Sequence, residues 1–224
     1  MSDRKISLCI PAYERTDLLL ESFAKVLHDP RISEIIIVDD ASCQATFDFI
    51  SKRTSHMFKV KLYSNSENLD CYKNKRQAIS YATNDWCILL DSDNVIDTAY
   101  LDKIYENKLW NDYTIYTPSF AKPHFDFRHF SGLLVTNKNV CSWIDEPMFE
   151  TMLNAANFFV NKNEYLRIFD PTVDPVTSDS IYFCSNWLWE GNRIQVVEGL
   201  EYFHRVHSGS HYQNNVRRTP QGFH

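Results

Sequence analysis

The chain has 224 residues, 44% of them hydrophobic, so it can bury a sizeable core in one large or two small domains. Its formal net charge of -6 argues against a nucleic-acid-binding surface as the main function. Because only five residues are glycine, collagen-like, low-complexity and glycine-cradled phosphate designs are excluded.

Short apolar runs alternate with helical patterns over residues 1–100. The runs predict strands at residues 6–10, where Pro11 stops the strand, and at 35–38, 60–63 and 86–90. Apolar residues at helical spacing predict helices from Asp17, as the N-cap, to about residue 27, and over residues 45–52 and 73–83. Beyond residue 100 the pattern loosens into short strands near 114–117 and 132–136 and one or two helices. We therefore expect an α/β fold with a mostly parallel central sheet flanked by helices and a smaller mixed region.

Two carboxylates, Asp91 and Asp93, follow the apolar run at residues 86–90 and are separated only by Ser92. Ligands of such sheets bind at the carboxyl ends of strands, where this turn lies. Two nearby carboxylates repel each other unless a cation or a basic group lies between them, and oxygen ligands suit Mg²⁺ or Mn²⁺ held together with substrate phosphates. The turn is therefore a candidate cation and diphosphate site, with a solvated Asp-rich turn as the alternative.

Four segments resemble, in order and spacing, the donor-side motifs of family-2-like glycosyltransferases with the GT-A fold. They read IPAYER at residues 10–15, IVDDAS at 37–42, NSENL at 65–69 and LDSDN at 90–94. The resemblance covers roughly residues 5–210. It implies a Rossmann-like GT-A domain, a nucleotide-diphospho-sugar donor, Mn²⁺ or Mg²⁺, and transfer of a hexose with inversion at its anomeric carbon.

No repeat, linker or Pro/Ser-rich tract divides the chain. We therefore predict a single GT-A domain over residues 1–212, with a nucleotide-sugar-binding half at about 1–99 and an acceptor and catalytic half at 100–212. Residues 213–224 are expected to form a flexible tail.

The first two motifs predict contacts to the nucleotide. Pro11 and Ala12 fix the backbone where the first strand ends. This leaves Tyr13 to lie against a flat base and Arg15 to approach phosphate or base oxygens. Asp39 is placed to accept a hydrogen bond from an imide N–H, which uracil has and adenine lacks. A UDP-sugar is therefore the leading donor.

The third motif departs from the family pattern, in which Asn-x-Gly is followed by Ala-Arg-Asn. Asn68 is the expected donor contact there, and Lys75 falls where the family's arginine falls. A lysine neutralises phosphate as a point charge but makes no planar bidentate contact, and a solvated helix face is its alternative. In the fourth motif the resemblance assigns Asp91, Ser92 and Asp93 to the donor. Asp93 is the surer metal ligand, while Asp91 serves the metal, the ribose or a metal-bound water.

A general base must take the proton of the acceptor hydroxyl as it attacks the anomeric carbon. The family places this carboxylate in a Glu-Asp pair ahead of a helix, and here Ser178-Asp179 takes that place with serine instead of glutamate. Asp179 is therefore the predicted catalytic base. Its alternative role is a helix N-cap, and Asp174 is its rival as the base. Residues 154–159 resemble a strand that lies beside the donor sugar.

The segment FHRVHSGSH at residues 203–211 resembles the part of the family that crosses back over the diphosphate, where some members use a histidine as a third metal ligand. In an extended chain Arg205 and His207 share one face, and His204 lies on the other. The resemblance predicts His207 as the metal ligand, with His204 as the alternative. Arg205 and Ser210 are the predicted diphosphate contacts.

The sequence also indicates location and partners. No apolar run approaches membrane-spanning length and the N-terminus leads straight into a strand, so we expect neither a membrane span nor a signal peptide. Six cysteines without a C-x-x-C pair predict free thiols in a reducing, cytoplasmic setting. The expected partners are a nucleotide-sugar donor and a glycan or other hydroxyl acceptor. Two rival functions remain: a sugar nucleotidyltransferase, and a non-catalytic GT-A homologue that binds carbohydrate or a sugar nucleotide. A nucleotidyltransferase normally carries a glycine-rich loop after the first strand, and residues 11–17 contain no glycine.

Overall fold

The computed structural model describes residues 4–155, 157–175 and 178–206. The strands are β1 Ile6–Ala12, β2 Ile32–Asp39, β3 Val60–Ser64, β4 Trp86–Leu89, β5 Thr114–Lys122, β6 Phe125–Asp126, β7 Leu134–Val135, β8 Phe159–Asn161 and β9 Arg193–Phe203. The α-helices are α1 Asp17–Ala24, α2 Gln44–Thr54, α3 Asp70–Ser80, α4 Thr98–Glu106, α5 Phe149–Asn154, α6 Lys162–Ile168 and α7 Asp179–Trp189.

Within these residues, nine strands form one sheet in the order β3-β2-β1-β4-β8-β5-β9-β7, with β6 paired to β5. The first four strands are parallel, since β1 pairs with both β2 and β4, and β2 pairs with β3. β8 is antiparallel to β4 and to β5, so β5 and its parallel neighbour β9 run in the same direction as β1. The mostly parallel sheet with a smaller mixed region is therefore confirmed.

The centre of the core lies on β1 and β2, because their side chains are apolar and covered on both faces. Ile35, Ile36 and Ile37 are fully buried. Helix α3 packs on β1 and β2, α4 packs on β9, and α5 packs against α7. Parallel strands buried on both faces have continuous apolar sequences, which is why the apolar runs located these strands.

The carboxyl ends of β1, β2, β4 and β9 meet at one edge of the sheet, because these strands run in the same direction. β1 lies between β2 and β4, so the chain leaves β1 towards one side and later returns to its other side. Such a reversal of strand order opens a crevice at the carboxyl ends, where ligands of α/β sheets bind.

Pro11 does not stop the first strand, which continues to Ala12 and pairs with β2 as far as Asp39. The carbonyl of Cys9 accepts a hydrogen bond from Leu90 N, so Pro11, two residues later, turns its nitrogen to the same side. Pairing with β4 has ended by that point, and the missing N–H of proline therefore removes no ladder bond.

One helix prediction and one strand prediction also need correction. Asp17 is the first residue of α1 and not its N-cap, which is Thr16, and the helix ends at Ala24. Residues 154–159 are not one strand, because Asn154 ends helix α5 and β8 begins only at Phe159. The chain turns between them through Asn157, whose φ of 86° lies outside the extended region.

No helix in the described part of the chain is both long enough and apolar enough to cross a bilayer. The six cysteines are free thiols, as predicted, and Cys9, Cys87 and Cys184 are buried.

Candidate active site

The turn that follows β4 is held by a residue from the other half of the chain. Asp91 N donates to Asn157 Oδ1 at 2.9 Å, and Asn157 Nδ2 contacts Asp91 Oδ2 at 3.4 Å. Asn94 N closes the turn on the Asp91 carbonyl at 3.0 Å, with Ser92 buried inside it. Asn157 belongs to the segment 154–159 that the sequence analysis places beside the donor sugar, but its contact with the Asp91 turn was not predicted.

Lys75 brings the predicted base and the Asp-x-Asp turn together. Its Nζ lies 2.6 Å from Asp179 Oδ2, 3.2 Å from Ser180 Oγ and 3.8 Å from Asp91 Oδ1. Lys75 projects from α3, whereas Asp179 is the first residue of α7, 104 positions later in the chain. The two halves of the chain therefore share one polar cluster at the carboxyl ends of the strands.

Asp179 and its rival Asp174 have different surroundings. Asp179 is 7% exposed and paired with Lys75, whereas Asp174 lies at an exposed position. The N-cap position of α7 is Ser178, so Asp179 does not serve as the N-cap of this helix.

The cluster carries more negative than positive charge. Burial alone would lower the pKa of the Lys75 ammonium, but the charges of Asp179 and Asp91 outweigh it and raise this pKa above its ordinary value. Burial raises the pKa of the Asp91 carboxyl, and the charges of Asp93 and Asp179 add to the rise against the opposing charge of Lys75. The carboxylates of Asp91, Asp93 and Asp179 outnumber the cations Lys75 and Arg15 that contact them, a balance that favours a further cation.

The predicted nucleotide contacts lie in the loops after β1 and β2. Tyr13 is 50% exposed, so its ring is accessible to a ligand. Asp39 Oδ2 accepts a hydrogen bond from Ser42 N at 3.0 Å, while its buried Oδ1 has no hydrogen-bond partner among the residues that the structure describes. A buried carboxylate oxygen without a donor is costly, and a ligand N–H would satisfy it.

The first motif is also tied to the second motif and to the Asp-x-Asp turn. Glu14 N donates to Ser42 Oγ at 2.8 Å, and the Glu14 carboxylate accepts hydrogen bonds from Cys43 N at 2.6 Å and Thr46 Oγ1 at 2.7 Å. The guanidinium of Arg15 lies 3.6 Å from Asp93 Oδ2. Arg15 and Asp93 therefore form an ion pair that joins the loop after β1 to the Asp-x-Asp turn.

Asp40, which directly follows β2, holds the third motif in place. Asp40 Oδ1 accepts hydrogen bonds from Asn65 Nδ2 at 2.7 Å and from Leu69 N at 2.9 Å. Burial raises the pKa of Asp40 despite these two bonds. Asn68 Oδ1 accepts from Asp70 N at 2.9 Å in a local turn, so its predicted donor contact stays a prediction.

Arg205 fastens the chain after β9 to the turn and to α1. Its backbone N donates to Asn94 Oδ1 at 3.2 Å, and its Nε donates to the Asp93 carbonyl. The remaining guanidinium nitrogens contact Glu21 Oε2 at 2.5 Å and the Leu18 carbonyl at 2.7 Å. The predicted diphosphate contact of Arg205 stays a prediction, because each nitrogen of the guanidinium already has a partner in the protein.

The predicted third metal ligand cannot be placed. His207 and Ser210 lie outside the described residues. The ring of the alternative, His204, lies against Phe125, with centroids 5.0 Å apart, and against His124, with centroids 5.7 Å apart.

The donor set at the turn fits a hard divalent cation. Residues 4–155, 157–175 and 178–206 contain no group of three His, Cys, Asp or Glu side chains arranged to hold an ion. Mg²⁺ and Mn²⁺ sites often use only one or two carboxylates, and the substrate phosphates supply further oxygens. Asp91 and Asp93 keep 34% and 17% of their side-chain surfaces exposed, so both remain accessible.

Comparison with known proteins gives this geometry a context. The abequosyltransferase RfbV of Salmonella typhimurium is 32% identical over 95 residues, which are 41% of this chain and 28% of that protein. The structure of S. aureus TarS 1-349 in complex with UDP-GlcNAc matches with a TM-score of 0.68 at 16% identity, over 93% of this chain and 60% of that one. The mannosyltransferase PcManGT from Pyrobaculum calidifontis, in complex with GDP-Man and Mn²⁺, matches with a TM-score of 0.66 at 14% identity, over 97% of this chain and 61% of that one.

These solved structures have the GT-A fold, and their likeness gives the fold of this chain. The chain spans less than two thirds of the length of each of these relatives. The model of the family described as glycosyl transferase family 2 matches residues 7–161, which is more than half of the chain. The chain therefore belongs to glycosyl transferase family 2.

Proposed function

We propose that this chain is an inverting glycosyltransferase that moves a hexose from a UDP-sugar to a hydroxyl group of a glycan or other acceptor. The observation that carries the proposal is the contact of Lys75 with both Asp179, at 2.6 Å, and Asp91, at 3.8 Å. It unites a candidate base with a candidate diphosphate site, and an inverting transferase needs both within reach of one sugar. The same contact joins the predicted donor half, residues 1–99, to the predicted acceptor half, residues 100–212.

The choice of nucleotide rests on Asp39. Its Oδ1 is buried and lacks a donor among the described residues, and a ring N–H next to a carbonyl group would supply one. Uracil and guanine carry such an N–H, whereas adenine and cytosine do not. The exposed ring of Tyr13, in the neighbouring loop, offers a face on which the base can stack. We take uridine as the nucleotide, and a donor panel decides between it and guanosine.

Asp93 and Asp91 would hold Mn²⁺ or Mg²⁺, with Asp93 as the surer ligand because Asn157 and Lys75 already contact the two oxygens of Asp91. The ion, when bound, supplies Lewis-acid stabilisation of the charge on the leaving diphosphate. Arg15 is 3.6 Å from Asp93 and adds positive charge beside the same group. His207, Ser210 and Arg205 stay proposed as further contacts of the ion or the diphosphate.

Asp179 takes the proton of the acceptor hydroxyl in the proposed mechanism. The acceptor oxygen then bonds to the anomeric carbon on the face opposite the departing diphosphate, so the configuration inverts. Lys75 holds the Asp179 carboxylate, and the same ammonium donates to Ser180 Oγ.

Calorimetry with UDP-, GDP-, dTDP-, CDP- and ADP-linked sugars, with and without Mn²⁺, tests the donor assignment. We expect UDP-sugars to bind most tightly of the five, and to bind more tightly in the presence of the ion than in its absence. Preference for CDP or ADP would contradict the role of Asp39. Binding of the donor with no transfer of its sugar to any acceptor or to water, and hence no release of UDP, would make the chain a non-catalytic sugar-nucleotide-binding member of the family.

Two substitutions test the assigned roles. Asp179→Asn should leave donor binding nearly unchanged and lower transfer by roughly 10²–10⁴-fold, the usual contribution of a general base. Loss of donor binding would remove Asp179 from that role. Asp93→Ala should abolish the Mn²⁺-dependent part of donor binding, and unchanged metal dependence would overturn the metal assignment.

A further inference from the structure

We propose that Lys75 positions the general base rather than binding the donor phosphates, an inference that rests on the proposed function. Its ammonium lies between the carboxylates of Asp179 and Asp91 and also contacts Ser180 Oγ. Two of the three N–H donors of the ammonium are taken by Asp179 and Ser180, and Asp91 forms a longer ion pair at 3.8 Å. The arrangement fixes which way the Asp179 carboxylate faces relative to the turn that carries the donor.

The surroundings of Lys75 oppose a second role at the phosphates. Its side chain is 10% exposed, and the free space beside it measures about 10 Å³, which is room for one water. This space is lined on its apolar side by Tyr72, Phe158, Tyr165 and Phe183. Movement of the ammonium towards a phosphate would leave Asp179 buried without its cation, and a buried charge that loses its partner is strongly destabilising.

The contact between Lys75 and Asp179 also fixes where the candidate base lies relative to the donor strands. Lys75 belongs to α3, which packs on the donor strands β1 and β2, and Asp179 begins α7. Because the same ammonium contacts Asp91, the position of the base is fixed with respect to the Asp-x-Asp turn. A misplaced base slows the chemical step without changing how the donor binds.

The sequence departs from the family pattern at both ends of this contact. Lysine replaces the family's usual arginine at position 75, and serine replaces the usual glutamate at position 178. An arginine at position 75 would still present N–H donors to Asp179, in a planar fork that suits a carboxylate. We therefore expect Lys75→Arg to retain much of the positioning, and Lys75→Met, of similar length but uncharged, to lose it.

The test compares Lys75→Met, Lys75→Arg and the matched control Lys73→Met, which removes the same charge from an exposed position on the same helix. For Lys75→Met we expect the Kd for UDP with Mn²⁺ to stay within about threefold of wild type while kcat for UDP release falls by roughly 100-fold or more. Lys75→Arg should recover kcat to within about tenfold of wild type. Lys73→Met should leave both quantities unchanged.

A double variant, Lys75→Met with Asp179→Asn, distinguishes a folding defect of Lys75→Met from a loss of positioning, because it removes both charges of the pair. We expect its melting temperature to exceed that of Lys75→Met, because the uncompensated carboxylate is gone, and its UDP affinity to match wild type. Weaker UDP binding in both variants that carry Lys75→Met, with kcat retained in the single variant Lys75→Met, would assign Lys75 to the phosphates and overturn this inference alone. Equal kcat losses in Lys75→Arg and Lys75→Met would also overturn it. If the wild-type chain releases no UDP from any donor, the proposed function fails, and the inference fails with it.

Discussion

Glu14 links the two loops that carry the predicted nucleotide contacts. Its carboxylate accepts hydrogen bonds from Cys43 N and Thr46 Oγ1 at the start of α2, where the N-cap side chain of Cys43 makes no capping bond. The hydrogen bond from Cys43 N, followed by that from Thr46, lowers the pKa of Glu14. A residue of the first motif therefore caps the helix that follows the second motif.

Replacing Glu14 with alanine should cost about 1 kcal/mol of stability, the usual value of a lost N-cap. It should also weaken UDP binding several-fold, because Tyr13 would no longer be held in register with Asp39. Urea denaturation and calorimetry measure the two effects. Glu146→Ala, at an exposed position in the other half of the chain, is the control. Unchanged UDP affinity in Glu14→Ala would show that the loops need no such link.

Asn157 combines a positive φ with a buried side chain that holds the Asp91 turn. Asn157→Gly and Asn157→Ala both remove the contacts to Asp91 and Asn94, which should cost about 1–3 kcal/mol. Only alanine adds strain at this φ, so Asn157→Ala should be less stable than Asn157→Gly by about 1 kcal/mol. Urea denaturation of the pair measures the difference. Equal stabilities would mean that the backbone relaxes to another conformation at this position.

The location of a single residue was predictable where the sequence places that residue just after a strand. Asp39 and Asp91 belong to this group, because each follows an apolar run directly, and Asp93 lies two residues beyond Asp91. The Lys75–Asp179 pair was not predictable as a contact, since its partners are 104 positions apart and only the fold brings them together. The contact of Asn157 with Asp91 was not predicted, because residues 154–159 were expected to form an extended strand and not the turn that the positive φ of Asn157 makes.

At the scale of elements, Glu34 joins the starts of β1, β2 and β3 at the edge opposite the candidate site. It is 3% exposed, and its carboxylate accepts hydrogen bonds from Ser7 Oγ, Lys61 Nζ and Thr83 N, each at 2.6 Å. Burial alone would raise the pKa of Glu34, but the hydrogen bonds from Lys61, Ser7 and Thr83 outweigh it and lower the pKa to about 2.

The lowered pKa of Glu34 makes stability depend on pH in a defined window. Because the folded pKa lies below the unfolded value of 4.5, this contribution is fully present above pH 4.5 and is lost as pH falls towards 2. At about 1.4 kcal/mol per pKa unit, it amounts to about 3 kcal/mol at most. In Glu34→Gln, the free energy of unfolding should be lower at pH 7, and its gap from wild type should narrow between pH 4.5 and 2.

Urea denaturation at several pH values measures this gap, and Glu106→Gln, an exposed carboxylate on α4, is the surface control. Glu34→Gln should leave UDP binding unchanged, because Glu34 lies at the other end of the strands from Asp91. A gap that stays constant down to pH 2 would contradict the lowered pKa of Glu34.

Elements were predicted best where burial imposes a simple pattern. The apolar runs of β1, β2 and β4 located these strands because both of their faces are covered. The end of β1 was misjudged, since the effect of Pro11 depends on which neighbour its nitrogen faces. Residues 149–154 form a helix that buries Phe149 and Met152, a spacing too short to distinguish from a strand by periodicity alone.

At the scale of the whole molecule, the candidate site exists only when separate segments meet. The loops after β1, β2 and β4, the start of α7 and the chain after β9 all contribute to one edge of the sheet. A ligand that contacts several of these segments binds the folded chain and not the unfolded one. Donor binding is therefore expected to stabilise the fold as a whole.

The thermal stability of the chain should rise cooperatively with UDP and Mn²⁺. At a ligand concentration of 100 times Kd the gain is about 2.7 kcal/mol, or roughly 5–10 °C for a chain of this size. The rise with both ligands should exceed the sum of the separate rises, because the diphosphate supplies oxygens that the ion lacks when only Asp91 and Asp93 hold it.

Differential scanning calorimetry on wild type, Asp93→Asn and Asp39→Asn separates the two contributions. Asp93→Asn should lose the extra rise and keep the rise with UDP alone, because the base contact at Asp39 remains. Asp39→Asn should lose most of the response to UDP, because an amide whose nitrogen faces the base cannot accept its N–H. A strictly additive response in wild type would contradict joint binding of the ion and the diphosphate. The metal would then have to act elsewhere than between the Asp-x-Asp turn and the donor.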